Sequence, residues 1–372
     1  MASFYLTRKA FDSIRPDTIE YKILGKQNQI FLDMSQDELY DENDNDEVTD
    51  YGLSSLCDFQ LEFANVSFES GREIHDAALK GCYTKLLEIP DGIFVLNTSK
   101  EKASEISKKY GILCLSDQEF DFDMLTRSHS KFMERQISVD ESAVEINKPI
   151  NDNPIQLSNI FPDEVMLPCN TAIIIDKYLL NKDDKTGKIT SRILEKIFKT
   201  GLLSDTGQLL FIVEVSNTPN RKEDFKAIAE NVYREFTNIH NSKFFVAFLG
   251  VNSIEKIFGD LHNRCIITNY AVISAEHSLA LVNERGYSKY DQYFTIRNLY
   301  SEGITNRSDT PEKARRMILR KVQGHVDIAI RHFDKNNEAP NFLYAHERDG
   351  SLVSKPRKVS PSDLKNRFIK IS

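Results

Sequence analysis

The sequence predicts an α/β protein built in two main parts. Three observations point there. Strand-length apolar runs alternate with segments of helical period beyond residue 170, a proline- and asparagine-rich stretch precedes them, and charge changes sign along the chain. With 372 residues, two or three domains of roughly 100–200 residues fit, and each can bury a core without cross-links. Residues 1–150 carry 16 Lys+Arg against 29 Asp+Glu, a balance of −13. Residues 151–299 are near neutral at 17 against 18, and residues 300–372 hold 15 against 9, a balance of +6. The acidity is therefore N-terminal, and it leaves room for a basic ligand face further on.

Taken in order, residues 1–139 read as an acidic α+β domain. Alternation at Glu20–Leu24 and Phe59–Phe63 suggests strands, and Ala103–Tyr110 a short helix between strand-like runs at Gly92–Leu96 and Ile112–Leu115. The acidic run Asp41-Glu42-Asn43-Asp44-Asn45-Asp46 resembles a calcium loop. Its sixth position is Asp46 instead of glycine, and no glutamate closes the loop, so it reads as a solvated acidic loop. Residues 140–168, broken by Pro149, Pro154 and Pro162, read as a linker.

Beyond the linker the pattern changes. Ala172–Asp176, Leu209–Val215, Phe244–Leu249 and Cys265–Thr268 are buried-strand runs. Helical periods through Ile193, Leu194, Ile197 and Phe198, and then over Phe225–Phe236, separate them. Thr310-Pro311 is a helix start: a capping hydroxyl, then proline where its missing donor costs nothing. The helix that follows places Ala314, Ile318, Val322 and Ala329 on one stripe and Arg315, Arg316, Arg320 and Lys321 elsewhere. Residues 306–372 thus read as a C-terminal helix followed by a basic tail that includes Lys355-Pro356-Arg357-Lys358.

Several classes of function are set aside. The longest apolar runs are strand-sized, short of the roughly 18 residues of a membrane span. No secretory pattern opens the sequence, so a cytoplasmic setting is expected. Cys57, Cys82, Cys114, Cys169 and Cys265 form no CxxC pair and are expected as reduced, mostly buried thiols. There is no phosphate-binding glycine loop, dinucleotide fingerprint, HExxH or GxSxG, and the histidines show no metal-ligand spacing. Glu214 could serve a metal-dependent restriction-type nuclease, but Ser216 stands where that chemistry wants lysine.

The chemistry-bearing stretch is Asp260-Leu261-His262-Asn263-Arg264-Cys265-Ile266-Ile267-Thr268-Asn269. It places a histidine, then a cation two residues later, at the entry to an apolar strand, and alternation puts His262 and Arg264 on the same face of that strand. An imidazole beside a guanidinium suits a phosphodiester: the guanidinium forks onto the anionic oxygens, while a ring nitrogen attacks phosphorus or passes a proton. Asp176 could orient such an arginine or cap the next helix.

The spacing His262, Arg264, Asn269 resembles the HxK-x4-D motif of the phospholipase D superfamily, with Arg for Lys and Asn for Asp. The order strand, helix, strand, helix, strand, motif is also similar, over residues 172–284. Closer still are divergent single-motif members such as the C-terminal domain of microtubule-interacting-and-trafficking proteins, which include phosphoinositide binders. The resemblance implies a mixed sheet flanked by helices over residues 169–305. It also implies a phosphohistidine on His262, phosphate binding by Arg264, and no metal or other cofactor.

With one motif in the chain, the second histidine would come from a homodimer or from His277. His277 and Ser278 stand in Ala275-Glu276-His277-Ser278, where the family has a Gly-Ser-x-Asn segment that would contact phosphate. The expected function is a metal-independent phosphodiesterase or nuclease acting on nucleic acid. An acidic N-terminal domain meeting a protein partner would suit a bacterial defence effector. Two alternatives stay open: a non-catalytic binder of nucleic acid or lipid headgroups, and an oligomerising scaffold.

Overall fold

The computed structural model describes residues 3–13, 29–35, 66–118, 135–139, 167–177, 207–214, 227, 229–231, 245–259, 264–275, 292–298, 311–331, 341–346 and 366–369. The chain forms two compact units. Unit 1 takes Met1–Met133 and Asn298–Glu312, and unit 2 takes Glu134–Arg297 and Lys313–Ser372.

Unit 1 holds a five-stranded sheet: β1 (Ser3–Leu6), β2 (Gln29–Leu32), β3 (Val66–Ser67), β4 (Gly92–Leu96) and β5 (Leu113–Ser116). Its order is β3-β2-β1-β4-β5, with every neighbouring pair parallel. Helices α1 (Arg8–Asp12), α2 (Arg72–Leu79) and α3 (Lys100–Tyr110) lie between the strands in sequence. The expectation of an α+β domain is therefore corrected to parallel α/β. The pattern misled because β1 and β2 are only four residues long, too short for a period to show. Interior strand β4 is buried at all five positions, the continuous apolar run that a parallel sheet covered on both faces requires. The stretches expected as strands at 20–24 and 59–63, and the acidic run at 41–46, lie outside the described residues.

Local chemistry sets the helices. Ser99 caps α3 by accepting from the backbone N–H of Lys102 at 3.3 Å, and Gly111 ends it at φ 63°, a conformation glycine adopts without strain. The Ser107 hydroxyl then docks α3 on edge strand β5. It donates to the Cys114 carbonyl at 3.2 Å and accepts from the Cys114 N–H at 2.9 Å. Rings fill the core beneath: Tyr5 stacks on Phe31 at 4.6 Å and on Phe94 at 5.2 Å.

Gly71, at the start of α2, packs against the end of β2. A Cβ there would meet the Leu32 carbonyl carbon at 2.8 Å and its oxygen at 2.9 Å, both backbone atoms that cannot swing away. Gly71→Ala is expected to destabilise unit 1 by about 1–3 kcal/mol, read as a lower denaturation midpoint for that unit alone.

His75 sits in α2 at 4% exposure. Burial pushes its pKa down to about 4, against the opposing charges of Asp117 and Asp76. The unfolded chain then takes up a proton near pH 6.5 while the folded unit resists until about pH 4. Stability is full above that window and falls as pH drops through it, by on the order of 3 kcal/mol. Melting unit 1 between pH 7 and 4.5 checks this, and His75→Gln should flatten the profile.

Unit 2 is built on an eight-stranded mixed sheet in the order β13-β9-β8-β7-β10-β11-β12-β6. The strands are β6 (Arg135–Val139), β7 (Thr171–Asp176), β8 (Gln208–Glu214), β9 (Phe245–Val251), β10 (Arg264–Thr268), β11 (Ala271–Ala275), β12 (Gln292–Asn298) and β13 (Asn341–His346). β7, β8 and β9 run parallel, and β10 turns antiparallel on β7. Two helices, α4 (Ile254–Phe258) and α5 (Pro311–Arg331), cover one face. Ile254 and Phe258 join Ile318, Val322, Val326 and Ala329 over Ile173, Ile212, Leu249 and Ile267. Among the described residues no helix is long and apolar enough to cross a membrane.

Two expected boundaries are corrected here. β6, placed by the sequence reading at the end of the N-terminal domain, pairs antiparallel with β12 at the edge of the second sheet. The described residues from Lys313 onward belong to the body of unit 2, and the basic stretch 355–358 lies outside the described residues. α5 lies in the core of unit 2, β13 pairs with β9, and Ile369 is buried in the same core at 5% exposure. The buried stripe of α5 runs through Arg315, Ile318, Val322, Val326 and Ala329, with Arg315 only 4% exposed. Its guanidinium stands 4.9 Å over the Phe368 ring, a stacked cation that a stripe of apolar residues does not foretell.

Candidate functional site

β10 and β11 form a hairpin in which Cys265 pairs with Ser274 and Ile267 with Val272. Asn269 and Tyr270 make its turn. The chain therefore enters β10 at Arg264 and leaves β11 at Ala275 on one edge of the sheet, where β7, β8 and β9 also end. Across the β10–β7 ladder Arg264 stands directly opposite Asp176. Residues so paired share a face and bring their Cβ atoms to roughly 5 Å. Asp176 is fully buried and Arg264 half-buried. The same row runs on through Val213 to Gly250, both buried. Of the two roles open to Asp176, orienting an arginine or capping a helix, this register places it beside Arg264.

The opposite face of this edge has a different character. Glu214 accepts from the Ile254 N–H at 3.0 Å and stands 4.0 Å from the Lys177 ammonium. Its carboxylate is thereby tied to the start of α4, where it satisfies a helix donor beside the capping Ser253. Among the described residues no group of three or more His, Cys, Asp or Glu is placed to hold a metal ion.

Of the residues singled out from the sequence, Arg264 and Asn269 are described. His262, His277 and Ser278 lie outside the described residues. Their nearest described neighbours, Arg264 and Ala275, stand at the same end of the hairpin. Asn269 stands at the other end, five residues and roughly 16 Å along the strand. Its Oδ1 accepts from the backbone N–H groups of Asn170 at 2.8 Å and Thr171 at 3.0 Å, and its Nδ2 donates to Asn170 Oδ1 at 3.1 Å. The expectation that Asn269 works beside Arg264 is corrected accordingly. The carboxamide clamps the hairpin turn to the start of β7, where an ionised carboxylate has no proton to offer Asn170 Oδ1.

Comparison with protein-family models and with curated proteins finds no match for this chain. The site is therefore read from its own chemistry.

The two buried thiols nearest the hairpin, Cys265 and Cys169, are poorly suited to act as nucleophiles. Burial first, then the charge of Asp176, pushes the Cys265 thiol up to about 12. Burial also holds Cys169 well above the ordinary thiol range. Cys82 is exposed, and Cys57 lies outside the described residues. At neutral pH, Cys265 and Cys169 stay protonated and behave as small apolar groups.

What the sheet edge can do follows from this inventory. A half-buried guanidinium stands across the ladder from a buried carboxylate, and a guanidinium is the side chain whose fork geometry matches a phosphate oxygen pair. The sequence reading missed how the site is framed, because the two-residue hairpin carries neither glycine nor proline to announce its turn. The turn is held instead by the Thr268 hydroxyl, which accepts from the Ala271 N–H at 3.0 Å.

Proposed function

We propose that unit 2 is a phosphodiester-handling domain of phospholipase-D-like type, acting as a nuclease or phosphodiesterase. The observation that carries this reading is the sheet edge itself. Arg264 stands opposite buried Asp176, at the end of the hairpin nearest in sequence to both His262 and His277. In this reading Arg264 binds the anionic oxygens of the scissile phosphate. His262 attacks phosphorus to form an N–P bond as the P–O bond to the leaving group breaks, and a second imidazole protonates that oxygen. Water then attacks phosphorus and releases His262. The second imidazole is His277 or the His262 of another copy in a homodimer. The basic region beyond residue 300 adds sequence-independent attraction to a nucleic-acid backbone.

One observation favours a second reading, the non-catalytic binder. The position matching the motif acid is the neutral Asn269, whose carboxamide is spent on backbone groups. The two readings separate on incubation with end-labelled single- and double-stranded DNA and RNA in excess EDTA. Cleavage by the wild type, lost in both His262→Ala and Arg264→Ala, supports hydrolysis. Salt-sensitive retention without cleavage, lost in Arg264→Ala but kept in His262→Ala, supports binding alone. Neither cleavage nor retention would overturn both readings.

A further inference from the structure

Unit 1 carries a site of its own. Four strands of its parallel sheet end at one cavity of about 770 Å³, lined by Thr7 after β1, Asp33 after β2, Thr98 after β4 and Asp117 after β5. The strand order reverses between β1 and β4, and open parallel sheets bind ligands outside the carboxyl ends of their strands at such a reversal. The volume falls within the roughly 300–1,000 Å³ of small-molecule sites.

The wall of this cavity is unfinished. His75 Nε2 and Asp117 Oδ1 both lie in residues only 4% exposed, and neither atom has a hydrogen-bond partner among the described residues. Native interiors pair nearly all such groups, so two orphans lining one cavity mark a place for ligand atoms. Asp117 as a carboxylate accepts only, so it calls for a hydroxyl or amine donor, while neutral His75 offers one donor or acceptor at Nε2. Nearer the mouth the charge is positive: Arg8 and Lys9 follow β1, and Lys102 lies in the first turn of α3. Lys102 is held 3.0 Å from Glu105 in an exposed pair, a contact weak enough to give way to an anion. Asp33 ends β2, the position from which parallel nucleotide-binding sheets hold ribose hydroxyls.

We propose that this cavity binds a nucleoside phosphate. Asp117 and His75 meet donors and acceptors of the base or sugar, Asp33 takes the ribose hydroxyls, and Arg8, Lys9 and Lys102 meet the phosphate. The turn after β1, Leu6-Thr7-Arg8-Lys9-Ala10, contains no glycine to let backbone approach a pyrophosphate, which favours a mononucleotide over a dinucleotide.

Calorimetric titration of the full chain with AMP, GMP, CMP and UMP tests this, beside ribose 5-phosphate, inorganic phosphate and NAD. At least one mononucleotide is expected to bind at one site. Asp117→Asn should weaken it by about tenfold or more, and exposed Lys102→Ala by several-fold at an unchanged melting temperature. Binding at unit 1 is the part of the signal that persists in Arg264→Ala, which removes the phosphate group-binder proposed for unit 2. The proposal is overturned if no mononucleotide binds at millimolar concentration, or if both unit 1 variants bind like the wild type. Tighter binding of NAD than of every mononucleotide overturns it as well. So does equal binding of ribose 5-phosphate or phosphate, which removes recognition of the nucleoside.

Discussion

Asn269→Ala is expected to lower the stability of unit 2 by about 3–5 kcal/mol. The side chain is completely buried and completes the hydrogen bonding of three groups: the backbone N–H of Asn170, that of Thr171, and the Asn170 carboxamide. Each buried donor left unpaired costs about 1–3 kcal/mol, and alanine replaces none of them. Asn170 and Thr171 are themselves unexposed, so water has no open path to stand in. Hydrogen exchange at β7 and β10 during urea titration measures the effect without requiring the two units to unfold together. A loss below 1 kcal/mol would sink the clamp. Because Arg264 lies at the far end of β10, the folded fraction of this variant should keep the phosphate affinity proposed for unit 2, whereas a site role for Asn269 would abolish that affinity at full stability.

Deletion of residues 366–372 is the second large effect, again about 3–5 kcal/mol on unit 2. Burying an isoleucine is worth about 1.5–3 kcal/mol, and Ile369 is 5% exposed within the α5 core. Phe368 leaves with it, stripping the ring from beneath the buried Arg315 guanidinium. Arg367 leaves too, and its Nη1 donates to the Asn170 carbonyl at 3.4 Å, beside the Asn269 clamp. If this stretch contributed charge alone, the deletion would weaken nucleic-acid retention and leave the unfolding curve in place. Ile369→Ala, expected to cost about 2–4 kcal/mol, separates the packing contribution from the rest.

Legibility in the sequence followed burial. β7, β8, β9 and β10 are almost wholly interior, so each stood out as an unbroken apolar run with boundaries within a residue or two. α5 was equally plain, because Pro311 opens it and its apolar stripe is four turns long. β1, β2 and β11 were missed: four or five residues are too few to display a period, and the turn before β11 is Asn-Tyr instead of a glycine pair. Strand pairing was illegible for a different reason. Nothing local in Arg135–Val139 tells that its partner is β12, more than 150 residues on. The site divides similarly. Arg264 and Asp176 could be read as a basic and an acidic residue bounding two strands, but only the antiparallel register brings them face to face. Asn269 matched a spacing, and that spacing spans the strand from one end to the other. The cavity of unit 1 left no motif, since its polar groups come from four separate strand ends and three helices.

The placement of β6 and β13 at opposite edges of one sheet bears on how the protein is made. The five strands of unit 1 have all been translated by residue 116, and domains form N-terminal first during synthesis. Unit 2 must wait for β13 and for Ile369. Until β13 arrives, β9 is a bare edge whose seven residues, Phe245-Val246-Ala247-Phe248-Leu249-Gly250-Val251, are all interior in the finished sheet. Such an edge is a template for pairing with another nascent chain, and its natural partner comes from about 90 residues downstream, which makes closure slow. A ribosome stalled between residues 300 and 340 would therefore hold β9 as an unpaired edge, and that interval is where chaperone dependence should concentrate.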